Sequence, residues 1–222
     1  MNSFKYVINR RRELKGRLNL ETDIEKWAET CLPSYCHSNI FAAYVSWLRL
    51  FEAVNFFEKA LQKSVFFSSK QTTNILDFGC GTAELRFLLP ASINYRYVEN
   101  NPLALDWLNH LGLKPARIKL EQLPKEHFDL IFALDSLEHN EDYQKLVARI
   151  IKCLVPGGSL IISGPTENTL YKLGRRIARF SGHYHCTTIS DINREVDSLL
   201  LLEKRKIIPF GLPLFSISQW IK

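Results

Sequence analysis

The spacing of apolar residues changes near residue 74. Before that point apolar residues recur at helical spacing only, whereas from residue 74 onward short apolar runs alternate with helical segments. This change predicts two regions: a helical N-terminal extension or lid at residues 1–70, and an α/β domain at residues 71–222. Alternating strands and helices are typical of a mostly parallel sheet with helices on both faces.

Seven short apolar runs predict the strands of the second region. The first five belong to the parallel part of the sheet and lie at residues 74–80, 95–100, 116–120, 128–135 and 159–165. Helices are predicted between and after them, at residues 81–90, 102–112, 142–154, 166–180 and 189–200. The last two runs, 201–211 and 213–222, predict an antiparallel hairpin. We therefore expect a Rossmann-like, doubly wound, seven-stranded sheet that binds its ligand beyond the carboxyl ends of the strands.

Composition narrows the class of protein. The 222 residues are 46% apolar and 23% charged, values typical of globular proteins, which excludes disorder and collagen. The most apolar stretch, residues 41–67, is interrupted by charged residues. The N-terminus lacks the apolar segment of a secretory signal. We therefore expect a cytoplasmic protein without a membrane span. The net charge of +6 favours an anionic partner or surface.

The cysteines predict neither disulfides nor a metal. There are five of them, an odd number, and none forms a CxxC pair, so we expect reduced thiols. A zinc cluster would have to combine side chains from two distant stretches, and their spacing matches no standard zinc finger. The residues of that hypothetical cluster are Cys31, Cys36, His37, His183, His185 and Cys186.

A glycine-rich turn follows the first predicted strand. Gly79 and Gly81 permit a tight strand-to-helix turn and let a ligand lie against bare backbone. A dinucleotide site would need Gly or Ala where this chain has Glu84, and its pyrophosphate would also meet Asp77. Because carboxylates attract cations, the turn favours S-adenosylmethionine, whose ammonium and sulfonium groups are positive, over a dinucleotide.

Glu99 ends the second predicted strand. It follows Asp77 by 22 residues, close to the spacing of about 20 at which an acidic side chain binds the ribose hydroxyls of a nucleoside. A lone glutamate at a strand end is more often a solvated loop residue. The glycines and Asp77 upstream favour the ribose role.

Four motifs in order resemble the class I S-adenosylmethionine-dependent methyltransferases, in particular the group that includes ubiquinone-biosynthesis-type and other small-molecule enzymes. They are LDFGCGTAEL, YRYVENN, FDLIFALDSLEHNED and LVPGGSLIISGP, and the resemblance covers residues 74–222. It implies Asp77, Gly79 and Gly81 as the cradle of the methionine part, Glu99 as the ribose ligand, and a wall beside the sulfonium. The full cofactor-binding set that we predict is Asp77, Gly79, Gly81, Glu99, Asn100, Leu120, Asp135 and Ser136.

The chain departs from that family's pattern at two places. Ala83 stands where a third glycine is usual, a change that is tolerated if its φ angle is negative. Lys119 or Leu120 falls where an acidic residue often binds the adenine amino group, so Glu121, Gln122 or backbone alone would have to do so.

Histidines are the candidates for a catalytic base. His139 follows the fourth predicted strand, on the loop that faces the transferred methyl in such a fold. The alternative is that Glu138 and His139 only cap the next helix. His183 and His185 lie after the fifth strand, where substrate is usually received, and Tyr184 between them is a candidate substrate contact.

A basic stripe precedes these histidines. Lys172, Arg175, Arg176 and Arg179 share one helical face, which is either solvated or binds an anionic group of the substrate. We therefore expect transfer of a methyl group to an oxygen, nitrogen or carbon of a small, anionic or lipid-linked molecule. The alternatives are an RNA methyltransferase, which the motifs do not favour, and a non-catalytic cofactor-binding subunit. The Arg10-Arg11-Arg12 run and the apolar stretch after it allow peripheral membrane contact as one alternative, but we favour a lid over the substrate crevice whose apolar faces pack on the core.

Overall fold

The computed structural model describes residues 2–18, 20, 24–27, 30–63, 72–171 and 186–222. Six strands form a single sheet in this part of the chain: β1 Asn74–Phe78, β2 Asn94–Val98, β3 Phe128–Leu134, β4 Leu154–Pro165, β5 Leu201–Ile208 and β6 Phe215–Ile221. Their order across the sheet is β2-β1-β3-β4-β6-β5. The first four are parallel, and the β5–β6 hairpin pairs antiparallel with β4 through β6. The predicted α/β class and closing hairpin are confirmed.

The predicted third strand is wrong, so the described sheet has six strands instead of seven. Residues 116–120 make one isolated bridge, from Arg117 to Tyr97. Pro115 lies in a 3₁₀ turn at Lys114–Ala116, and a second 3₁₀ turn lies at Leu120–Gln122. Only three residues separate these turns, and one of them, Arg117, makes the single bridge, so no strand forms there.

Six α-helices are described. Their bounds are α1 Ser3–Arg17, α2 Leu32–Tyr35, α3 Ile40–Lys63, α4 Pro102–His110, α5 Tyr143–Cys153 and α6 Ile189–Asp197. The helix predicted at residues 81–90 is wrong, because that stretch holds only a 3₁₀ turn at Glu84–Phe87. The predicted helix at residues 166–180 lies mostly outside the described residues.

Helices cover both faces of the sheet. Alternating residues of β1 point to opposite sides, so Ile75 packs with α1, α3 and α4, whereas Leu76 packs with α5 and α6. The N-terminal helices therefore belong to the same hydrophobic core as one face of the sheet. The predicted boundary at residue 70 falls between described segments and stays a prediction.

Helix α3 is the core helix of that face. By length and composition alone residues 40–62 could cross a membrane, a test that the core helix of a soluble protein also passes. Trp47, Phe56 and Phe57 are fully buried in the common core, and the helix contacts β3, β4 and β6. It thereby brings Arg49 to the carboxyl end of β3.

Candidate active site

A cavity of about 500 Å³ opens at the carboxyl ends of β1, β2 and β3. The chain runs from β1 to β2 on one side and returns to β3 on the other, so this is the switch point of the sheet. The lining residues come from the glycine-rich turn, the ends of β2 and β3, and the N-terminal helices. They are Thr30, Cys31, Leu32, Tyr35, Leu50, Asp77, Gly79, Cys80, Gly81, Thr82, Glu84, Leu85, Glu99, Asn100, Asn101, Pro102, Leu134, Asp135, Ser136 and His139.

The glycine-rich turn needs its glycines for two reasons. Gly79 and Gly81 have φ angles of 71° and 55°, in the left-handed region that side chains avoid. A Cβ on Gly79 would also lie 2.4 Å from Cβ of Ser136, whereas the space around Gly81 is open. Ala83 has a φ of 57°, so the condition under which we expected alanine to be tolerated is not met, and this residue is held in a strained conformation.

Glu99 fastens this turn to the end of β2. Its Oε2 accepts a hydrogen bond from the Gly81 N–H at 2.7 Å. Its Oε1 accepts from the N–H groups of Asn100 and Asn101 at 2.7 and 2.8 Å. A carboxylate has about four acceptor positions, so one remains for a ribose hydroxyl.

Asp77 lies buried at the end of β1. The Tyr95 hydroxyl donates a hydrogen bond to its Oδ2 at 2.7 Å. The pKa of Asp77 is raised to about 7. Burial is the main cause and the charge of Glu99 adds to it, while the Tyr95 hydrogen bond acts in the opposite direction. A ligand cation would therefore favour the ionised form of this side chain.

Glu84 does not serve as the free carboxylate that we expected. Arg10 of α1 donates to both of its oxygens, from Nε at 2.7 Å and from Nη2 at 3.0 Å, and both side chains are buried. Arg11 donates to the carbonyl of Ser38. Arg10 is therefore not available to a membrane surface, because it holds α1 against the glycine-rich turn.

The opposite wall is built on the turn after β3. Asp135 has a φ of 51°, and its N–H donates to the Ser163 carbonyl of β4 at 2.9 Å. Nη1 of Arg49 lies 2.7 Å from Asp135 Oδ2, and both side chains are buried. Helix α3 therefore supplies the counter-ion of this wall, a role that the sequence pattern did not reveal.

The remaining predicted site residues fall into three groups. Asn100, Ser136 and His139 line the cavity with the residues above. Leu120 lies in a 3₁₀ turn against the other core face and is not among the lining residues. The rest lie outside the described residues: Lys172, Arg175, Arg176, Arg179, His183, Tyr184 and His185. Their roles stay predictions.

The N-terminal helices contribute lining residues that sequence reasoning missed. Cys31 and Tyr35 close the cavity beside Asp135, and the thiol of Cys31 lies 3.9 Å from Asp135 Oδ2. Burial raises the pKa of the Cys31 thiol to about 12, so it is a neutral lining group. In the described part of the chain no cluster of three or more His, Cys, Asp and Glu side chains is arranged to hold a metal ion.

The sequence of the chain matches a known protein family. Residues 41–198, more than half of the chain, match the family model of a methyltransferase domain. The chain belongs to this methyltransferase family. No curated protein sequence matches it.

Solved structures agree with this methyltransferase fold. One is the N-methyltransferase NodS of Bradyrhizobium japonicum WM9 in complex with S-adenosylhomocysteine, with a TM-score of 0.56, 16% identity, and coverage of 78% of this chain and 86% of that one. Another is an S-adenosylmethionine-dependent methyltransferase of Mesorhizobium loti, with a TM-score of 0.52, 16% identity, and coverage of 73% and 100%. The predicted family, enzyme class and S-adenosylmethionine cofactor are confirmed.

The residues of the cavity fit this cofactor. Four carboxylates line it, while no lysine or arginine is among its described lining residues. Two of the four, Glu84 and Asp135, have an arginine partner behind the wall, so Asp77 and Glu99 are left to attract a cation. Glu99 would hold the ribose, and Asp77 and the glycines the methionine part. The bound cofactor supplies a methyl group on a positively charged sulfur.

Proposed function

We propose that this methyltransferase acts on an oxygen, nitrogen or carbon nucleophile of a small molecule that carries a negative charge. One observation carries the proposal: the two described ends of segment 172–185 flank the Asp135–His139 side of the cavity. That segment holds four basic residues and no acidic one. An anionic group docked on it would therefore lie near the wall that faces the transferred methyl.

The C-terminal end of this segment is fixed to the turn after β3. The N–H of Cys186 donates to the Glu138 carbonyl at 2.8 Å, and the Cys186 thiol donates to the His139 carbonyl at 3.8 Å. The residues just before Cys186 are His183, Tyr184 and His185. This connection supports a substrate role for them.

The N-terminal end is fixed to the same wall from behind. The Tyr171 ring packs edge-on against Phe215, with centroids 5.8 Å apart. The Arg49 guanidinium lies 4.3 Å from the centre of the same Phe215 ring and pairs with Asp135. Lys172 directly follows Tyr171 in the sequence, and this connection supports the proposed role of the basic stripe.

The residues of this chain then supply alignment and a base. Methyl transfer is an in-line displacement, so the walls need to hold acceptor and sulfonium in contact. His139 is exposed and lines the cavity, within reach of an acceptor held there. For a hydroxyl or amine acceptor it would take the proton that the nucleophile loses.

The test is to incubate the protein with methyl-labelled S-adenosylmethionine and a cell extract, and to separate the labelled products. Label in small molecules that an anion exchanger retains supports the proposal, whereas label in neutral small molecules contradicts the anionic acceptor. Label in RNA or in the lipid phase would favour those acceptors. Binding of S-adenosylhomocysteine without any transfer would indicate a non-catalytic subunit.

A charge-reversed variant sharpens this test. Arg175→Glu with Arg176→Glu should raise the KM for the anionic acceptor about 10-fold, because each exposed ion pair is worth roughly 1 kcal/mol at most. Affinity for S-adenosylhomocysteine should stay unchanged. Arg194→Glu, on the exposed face of α6, is the matched control. An unchanged KM in the double variant would remove the basic stripe from the acceptor site.

A further inference from the structure

Two buried carboxyl groups lie three residues apart on the turn after β3. Asp135 and Glu138 each have one side-chain oxygen, Oδ1 and Oε1, that is sealed from solvent and has no hydrogen-bond partner among the described residues. A carboxylate oxygen buried in this way is costly unless a donor reaches it. The methyl-transfer roles assigned above do not use Glu138.

The surroundings offer too few donors for two ionised groups. Arg49 is the one cation among the described side chains that act on the pair, and its Nη1 is directed at the other oxygen of Asp135, Oδ2. The Cys31 thiol, a weak donor, also points to Oδ2. Glu167, after β4, adds negative charge. Among the described residues, two negative charges and one guanidinium would leave a net charge at these buried side chains.

The pKa of Glu138 is shifted in the direction that this charge count implies. Burial raises the pKa of Glu138 well above its usual value, and the charge of Asp135 raises it further. A backbone hydrogen bond at Glu138 and the charge of Arg49 oppose these effects, and Glu167 adds to them. When two carboxyl groups share a site, they keep one proton between them.

We propose that Glu138 keeps its proton at neutral pH and donates it to Oδ1 of Asp135, so that the two form a carboxyl pair with a single negative charge. One proton then satisfies both orphan oxygens, and Arg49 balances the remaining charge. This inference goes beyond the proposed function and holds whatever the acceptor is.

The pair makes Glu138 a positioning residue for the acceptor wall. Arg49 fixes one oxygen of Asp135 and Glu138 fixes the other, so the carboxylate is held beside the cavity in its left-handed backbone conformation. The neighbouring Ser136 is thereby kept against Gly79, and His139 at the cavity mouth. Glu138 acts through these residues and does not itself line the cavity.

Infrared difference spectroscopy tests the proton directly. The wild-type protein above neutral pH should show the C=O band of a protonated carboxyl, and Glu138→Gln should lose it. Asp77→Asn is the control. Burial raises the pKa of Asp77 to about 7, so this side chain also carries a proton near neutral pH, and the variant identifies its share of the band. An unchanged spectrum in Glu138→Gln would overturn the proposal, since Asp135 and Glu138 would then both be ionised. Such a pair would need another donor between its oxygens, such as a water molecule.

A second variant covers the case in which Glu138→Gln does not fold. In Asp135→Asn the Glu138 proton would face an amide oxygen instead of a carboxylate, so its C=O band should shift. A band that does not move in this variant contradicts the proposed hydrogen bond.

The pH dependence of stability gives an independent measurement. In the unfolded chain Glu138 has the ordinary pKa of 4.5, and in the folded protein the pKa is raised. Its contribution to stability is therefore complete below 4.5 and is lost as pH rises through the folded pKa. The wild-type protein should lose stability relative to Glu138→Gln over that range. A difference that is constant with pH would overturn the proposal.

Discussion

The two walls of the cavity are held by different means. On the β1–β2 wall, the Glu99 carboxylate accepts hydrogen bonds from the backbone N–H of Gly81 in the glycine-rich turn and from the N–H groups of Asn100 and Asn101. On the β3 wall, Asp135 depends on Arg49 of α3. Glu84, at the rim of the glycine-rich turn, likewise depends on Arg10 of α1. The Glu99 contacts are thus formed within the sheet and its loops, whereas the ion pairs of Asp135 and Glu84 exist only once the N-terminal helices have packed.

This difference has a consequence for the N-terminal region. Residues 2–40 lie outside the range that matches the family model, yet α1 and α2 supply Arg10 and Tyr35 to the cavity or its support. The part of the N-terminal region that lies outside the matched range therefore contributes to the glycine-rich turn, through Arg10, and to the lining beside Asp135, through Tyr35.

The largest expected effect concerns the Arg49–Asp135 ion pair of the β3 wall. Arg49→Met should destabilise the protein by about 3–5 kcal/mol, because it leaves the Asp135 charge buried without a partner. Adding Asp135→Asn should recover most of the loss. Urea unfolding measures both.

A matched control is the exposed pair of Arg205 and Asp197. Arg205→Met should cost about 1 kcal/mol or less, since solvent screens that pair. If Arg49→Met cost no more than Arg205→Met, the two walls would not differ as described.

The sequence predicted the cofactor wall because its interactions are local. A short strand, two glycines and a carboxylate at the next strand end follow one another at fixed spacing, and parallel strands bring their ends together. Asp77, Gly79, Gly81 and Glu99 therefore lie together as expected. The six predicted strands other than residues 116–120 were found, while that stretch lies between two 3₁₀ turns and makes only one bridge.

The β3 wall and the Arg10–Glu84 pair could not be predicted because they depend on distant partners. Nothing in the helical pattern of α3 distinguishes Arg49 from a solvated arginine, and Arg10 stands in a run of three arginines of which it alone meets Glu84. Ion pairs between residues far apart in the chain follow from tertiary packing, which spacing does not encode. Glu84 is the clearest example, because the sequence pattern suggested a carboxylate free to attract the ligand cation, whereas the structure pairs it with Arg10.

The next effect tests the local wall. Glu99→Ala should weaken binding of S-adenosylhomocysteine by about 1–3 kcal/mol, because it removes the ribose acceptor and leaves three backbone donors unmatched. Isothermal titration calorimetry measures the change. Glu203→Ala, exposed on β5, should bind normally. Unchanged affinity in Glu99→Ala would end the assignment of Glu99 to the ribose.

The smallest expected effect on ligand binding is the pH dependence of that wall, which Asp77 sets. Its pKa is about 7 in the folded protein and 3.8 as a free side chain. A group with a raised folded pKa stabilises the fold fully at low pH, and that contribution is lost as pH rises. Without ligand, the wild-type protein should therefore lose stability relative to Asp77→Asn between about pH 4 and about pH 8.

Ligand binding should show the opposite trend. The ammonium of S-adenosylhomocysteine favours ionised Asp77, so affinity should rise up to about 10-fold from about pH 6 to about pH 8, as the ionised fraction rises. Titrations near neutral pH in two buffers of different ionisation enthalpy should show release of a proton. Asp77→Asn should bind with little dependence on pH. A wild-type affinity that is flat across this range would mean that Asp77 does not face the ligand cation, and the cofactor wall would then depend on Glu99 and the glycines alone.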